Sequence, residues 1–299
     1  MDPPNVLWFF GAFAITLAFY GLLSTLPQSH NGLWIFLTAI GFFLGFAAAA
    51  WFLLELWWWV PGGLAAALTV ATFPAVAVGF LKLIDVWPDD PFFRPFEDFS
   101  GYNLGVGLAT AVVGLVAFWL TRFSFVLGVA VGAILVSAQL LTPCFDENPS
   151  GDLRTTVALV TGALVVIVGV FADAFGRRRD AFWFHALGWF SIAAGLTFFT
   201  ADPGGDPNRG WIPMLVGGVL LLIVAGPIRR ATWAVYGVLG FYAAIFHYLT
   251  KGLNDDRWPF ALALLGLGLS IFAFGAVLHR YGKTWADRFI RRPPPALGP

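Results

Sequence analysis

The sequence predicts an all-α, polytopic membrane protein of about ten transmembrane helices. Three observations carry that prediction. Of the 299 residues, 59% are hydrophobic and only 11% are charged, where a soluble domain has roughly 25% charged residues to face water. The mean hydropathy is +0.80. The apolar residues fall in continuous runs rather than in the in-and-out alternation of barrel strands, so the spans are helical.

A helix needs about 20 apolar residues to cross the hydrocarbon core. Ten stretches qualify: Val6–Leu26, Leu33–Leu54, Gly62–Leu83, Leu104–Leu120, Phe123–Leu141, Thr156–Phe175, Ala181–Thr200, Trp211–Ile228, Ala231–Thr250 and Pro259–Leu278. They occupy most of the chain, so residues 1–299 read as a single integral membrane domain. The first stretch lacks a basic segment before it and a small-residue cleavage site after it, and is expected to be a retained helix.

With ten spans both termini share one side. That side carries eleven of the seventeen Lys and Arg residues, including Arg122, the Arg177-Arg178-Arg179 run, Arg229 and Arg230. The other side carries six: Lys82, Arg94, Arg154, Arg209, Lys251 and Arg257. The richer side is expected to face the cytoplasm, so both termini are cytoplasmic, and the expected location is a bacterial-type plasma membrane. Trp57, Trp58, Trp59, Trp87, Trp183, Trp211, Trp258 and Tyr281 fall near the span ends, as an aromatic belt does.

Composition excludes several functions. Net charge is zero, so nothing suggests a nucleic-acid partner. The one cysteine, Cys144, makes neither a disulfide nor a thiolate cluster. Haem is not expected, because His30, His185, His247 and His279 do not pair at matched depth. Metalloprotease, serine-hydrolase and Walker motifs are absent, so no enzyme is predicted. No span has an aspartate near its middle; Asp173 and Lys82 sit in last turns, within snorkelling reach of water. A proton pump or carboxylate-driven antiporter therefore lacks its usual groups.

Gly41-x-x-x-Gly45 and Gly128-x-x-x-Gly132 predict close packing between helices within the chain, with dimerisation as the second reading. Ten spans divide five plus five, which would invert the two halves in the membrane. Trp59-Val-Pro61 opens span three and Trp211-Ile-Pro213 opens span eight, at equivalent places in the halves. Span three has Pro74 at its centre, with Thr69 and Thr72 just before it, and span eight has Gly217 and Gly218. Interrupted helices at matching positions point to a binding site. Thr69, Thr72, Pro74, Gly217 and Gly218 are accordingly the candidate substrate-binding residues, with a kink sealed by the threonines as the competing reading.

The acidic outer loops read first as turns. Asp146, Asn148, Ser150 and Asp152 follow the first four ligand positions of a calcium loop. The glutamate of position 12 is missing, so any Ca²⁺ site there is weak. Pro91–Phe99, with four Phe and interspersed charge, is expected along the outer interface.

In size and topology the chain resembles the drug/metabolite-type transporters, compact ten-helix proteins, although it carries no motif of that family. The expected function is a permease for a neutral, zwitterionic or hydrophobic small molecule. The alternative is a non-enzymatic sensor, scaffold or accessory subunit of a membrane complex. Its partners would be the lipid bilayer and either another membrane protein or a second copy of the chain.

The topology is checked by cysteine labelling. Reagent added from outside should reach Cys144 and a cysteine placed at Gly204, and should not reach one placed in the C-terminal tail.

Overall fold

The computed structural model describes residues 3–26, 32–87, 100–146, 150–201, 206–228 and 230–252, with scattered helical positions from 262 to 280. The elements are α1 (Pro3–Thr25), α2 (Leu33–Glu55), α3 (Trp59–Leu83), α4 (Gly101–Thr121), α5 (Ser124–Leu140), a 3-10 turn (Thr142–Cys144), α6 (Gly151–Ala174), α7 (Arg178–Ala201), α8 (Asn208–Ile228) and α9 (Ala231–Gly252). Among the described residues there is no strand, and nine helices are long and apolar enough to cross a membrane. The protein is an integral, multi-pass membrane protein. The tenth predicted span falls largely outside the described residues, as does Pro91–Phe99.

The predicted spans coincide with α1 to α9, but several helices begin earlier than their apolar runs. Polar caps explain two of these starts. The Ser100 hydroxyl accepts the Asn103 backbone N–H at 3.3 Å, and the Ser150 hydroxyl accepts that of Leu153 at 3.2 Å. Each satisfies a donor that a helix start leaves unpaired, so α4 and α6 begin at their caps.

The chain forms two compact units, divided within α7 between Gly188 and Trp189. In the first unit α3 is central. Every residue from Gly62 to Val70 is buried. A helix apolar on all sides suits a core position, and the Gly-Gly-Leu-Ala-Ala-Ala sequence lets neighbours approach its backbone. One cluster joins Ala65, Ala66, Ala67 and Val70 to Ala50 of α2 and Val126 of α5. Another joins Ala75 to Ala39 of α2 and Phe19 of α1.

Glycine sets the closest approaches. A Cβ on Gly79 would lie 2.7 Å from the Phe36 backbone nitrogen, and one on Gly63 would overlap the Phe123 ring. A Cβ on Gly114 would lie 2.8 Å from the Ala130 Cβ, joining α4 to α5. In the second unit Gly218 and Gly237 face each other across α8 and α9. A Cβ on Gly218 would lie 2.8 Å from the Gly237 carbonyl oxygen.

The two glycine motifs depart from expectation. Among the described residues, no atom of a neighbouring element lies within 4 Å of a Cβ on Gly41, Gly45 or Gly132. Only Gly128 packs tightly, beneath the Trp183 ring. The reason lies in helix phase. α2 meets its neighbours through Ala39 and Ala50, which leaves Gly41 and Gly45 on the opposite, exposed face with Leu37, Leu44 and Trp51.

These contacts separate two similar substitutions. Gly79→Ala forces α2 and α3 apart and should lower stability by about 2 kcal/mol, within the range for overpacking. Gly45→Ala meets open space and should be neutral or stabilising by up to about 1 kcal/mol, from helix propensity. Unfolding titrations of the two variants in mixed micelles measure the difference.

Candidate functional site

The second unit contains a cavity of about 320 Å³ between the second half of α7, α8 and α9. Its walls include Trp189 and Leu196 of α7, Pro213 and Gly217 of α8, and Tyr236 and Leu239 of α9. Phe190 and Leu239 are also exposed, so the cavity reaches the unit's surface beside them.

Backbone contacts brace this space. Gly218 meets the Phe241 backbone, and Gly240 meets the Met214 carbonyl, so α8 and α9 are held together along this level. At one end of α8, a Cβ on Gly210 would lie 2.5 Å from the Leu196 carbonyl oxygen, which marks a close approach to α7. Gly217 faces away from these contacts. Among the described residues, no atom of a neighbouring element lies within 4 Å of where its Cβ would stand, and Gly217 lines the cavity.

Among the described residues, none that lines the cavity is charged. The Thr197 hydroxyl donates to the Ala194 carbonyl at 2.6 Å, so its proton is used within α7. The Trp189 Nε1–H is buried with no hydrogen-bond partner among the described residues, and its ring stands edge-on to Trp233 at 5.1 Å. Such a chamber suits an uncharged, apolar guest.

The five predicted substrate-binding residues divide between the units. Gly217 and Gly218 line the cavity. Thr69, Thr72 and Pro74 belong to the first unit, and the described residues that wall the cavity belong to the second. Both threonines are buried. Thr69 donates to the Ala65 carbonyl at 3.0 Å and Thr72 donates to the Thr69 carbonyl at 2.9 Å.

Pro74 removes the N–H that would reach the Val70 carbonyl and crowds the turn before it. In that turn the Tyr20 hydroxyl of α1 donates to the Ala71 carbonyl at 2.7 Å. The void between Tyr20 and Thr72 is too small for a water molecule. A larger cavity, about 230 Å³, lies between α1, α3 and α5, with Phe9, Phe13, Leu68 and Phe125 in its walls.

The calcium spacing meets a competing use. Ser150 caps α6, Asp152 lies in its first turn, and Asn148 falls outside the described residues. Among the described residues, no group of three or more His, Cys, Asp and Glu could hold a metal ion.

The histidines take different roles from one another. His185 is fully buried, and its Nε2 lies 2.9 Å from Asp173 Oδ2. Gly169 makes room, since a Cβ there would press on the His185 ring at 3.1 Å. Asp173 is a partner across the α6–α7 turn, with 21% of its side chain exposed. His247 stacks on Trp211 at 4.4 Å with 11° between planes, and its buried Nε2 has no hydrogen-bond partner among the described residues.

Sequence reasoning missed Trp189, Tyr236 and Leu239. Their types occur throughout the spans, so nothing marked them. The usable signal was Gly237-x-x-Gly240 in α9, which answers Gly217-Gly218 in α8. No known family matches the sequence, and neither a curated protein nor a solved structure matches it.

The contact near Pro74 is tested by Tyr20→Phe. Removing the hydroxyl should cost about 1 kcal/mol of stability, as for a typical lost hydrogen bond. It should leave ligand binding in the second unit unchanged. Unfolding titration and ligand binding on the same sample read both effects.

Proposed function

We propose that this protein is a permease for an uncharged, hydrophobic small molecule. The observation that carries the reading is the cavity of about 320 Å³ beside Gly217, near the middle of α8. Its size falls within the range of about 300–1,000 Å³ typical of small-molecule sites. Apolar walls favour the hydrophobic end of the range of substrates suggested by the sequence. The absence of central charged residues from the sequence supports movement of a neutral molecule rather than an ion.

In this reading ten spans form two inverted halves of five. Both termini face the cytoplasm of a bacterial-type cell, and the protein moves its substrate across the plasma membrane without transforming it. The alternative is a non-enzymatic subunit of a larger membrane complex. The exposed Gly41/Gly45 face of α2 favours it, because small residues let a neighbouring helix approach closely.

Efflux from proteoliposomes tests the proposal. Vesicles are loaded with isotopically labelled alkylphenols, monoterpenoids and aromatic ketones, and protein-dependent release is compared with that from empty vesicles. Gly217→Phe projects a ring into the cavity and should reduce protein-dependent efflux by about tenfold, corresponding to about 1.4 kcal/mol. Equal release from wild-type and protein-free vesicles for every compound would overturn the permease reading.

A further inference from the structure

One residue of the cavity wall carries an unspent, unenclosed side-chain donor. Tyr236 lines it from α9, and its hydroxyl makes no hydrogen bond among the described residues. It is also not among the sealed polar atoms, unlike Trp189 Nε1. The other side-chain donors on the wall are spent or enclosed. Thr197 donates within its own helix, and the Trp189 indole N–H is buried beside Trp233.

Position makes this hydroxyl informative. Tyr236 lies five residues into α9, which begins at Ala231, and hence about 7.5 Å along the helix axis at 1.5 Å per residue. A phenol without a hydrogen-bond partner is costly wherever it is shut off from water. A guest that reaches Tyr236 can supply the partner. Phenolic O–H donates and accepts, but the acidity of a phenol makes it the better donor.

We infer that the cavity takes an uncharged, lipid-soluble molecule bearing a hydrogen-bond acceptor, such as a ketone oxygen, and that the Tyr236 hydroxyl donates to that acceptor. The inference rests on the permease reading for its site and narrows the substrate class. The apolar walls enclose the hydrocarbon body of the guest, and Tyr236 orients it by its one polar atom. A charged or polyhydroxylated molecule finds no further partners on these walls and is excluded by its desolvation cost.

Two probes of nearly equal shape test this. 2-Acetylnaphthalene carries a ketone oxygen, and 2-ethylnaphthalene does not. Each is equilibrated by dialysis against the full chain in nanodiscs, with empty nanodiscs subtracted for partitioning into lipid. The wild type should bind the ketone about five- to tenfold more tightly than the hydrocarbon, the gain of one hydrogen bond made away from water. Tyr236→Phe should abolish that preference, and an unfolding titration of the variant reports an intact fold. Gly217→Phe should weaken both probes, locating them in the cavity.

The outcomes separate. If neither probe binds wild type above empty nanodiscs, the cavity has no ligand role, and the permease reading fails together with the inference. If both bind equally to wild type, or the ketone preference survives in Tyr236→Phe, the inference about the acceptor is overturned and the cavity reading stands. Binding of both probes unaffected by Gly217→Phe places them elsewhere and overturns the inference.

Discussion

Hydrocarbon offers no hydrogen bonds. Each backbone N–H and C=O in a spanning segment must find its partner within the protein. The all-helical architecture follows from that constraint, as do the local departures from regularity. Near Pro74 in α3, Thr69 and Thr72 donate to the Ala65 and Thr69 carbonyls of their own helix, and Tyr20 of α1 donates to the Ala71 carbonyl. Where α4 and α6 begin, serine caps accept donors that the helix cannot pair. His185 and Asp173 obey the same rule, each giving the other a partner across the α6–α7 turn.

The second determinant is how closely two helices approach when lipid tails are as apolar as their side chains. Under that condition packing must come from van der Waals contact and backbone proximity rather than from escape from water. The chain answers with glycine and alanine. α3 is buried through its alanines, Gly79 admits the backbone of α2, and Gly218 and Gly237 meet across α8 and α9. The same rule shapes the cavity. Glycine on the α8–α9 contact face draws the two helices together, while Gly217, just beside it, leaves volume unfilled. One glycine pair thus performs two opposite tasks, and which residue does which depends on a rotation of about 100° between neighbours in a helix.

A stretch of small residues is therefore ambiguous until its surroundings are known. Gly41 and Gly45 have the spacing of a packing motif yet face outward, whereas the unpatterned Gly79 and Gly114 carry tight contacts. Spacing states which residues share a face. It does not state whether a neighbour lies on that face, since this depends on how the helices are arranged.

What the sequence determined by itself is the class of protein and the positions of its helices. Long apolar runs have one stable form in a bilayer, so α1 to α9 were legible from hydropathy, and their ends only as far as caps such as Ser100 and Ser150 were read. Of the five candidate binding residues, Gly217 and Gly218 line the cavity. Thr69, Thr72 and Pro74 had the same sequence signal and lie in the other unit, bonded within their own helix or covered by α1. Only the tertiary structure decided that Trp189, Tyr236 and Leu239 converge with Gly217, and that His185 meets Asp173. Hydropathy reports how much a segment prefers lipid to water, and that preference is nearly the same on every face of these helices. It fixes depth and leaves rotation open. Rotation is set by side-chain packing between helices, here the consecutive α7, α8 and α9 that wall the cavity.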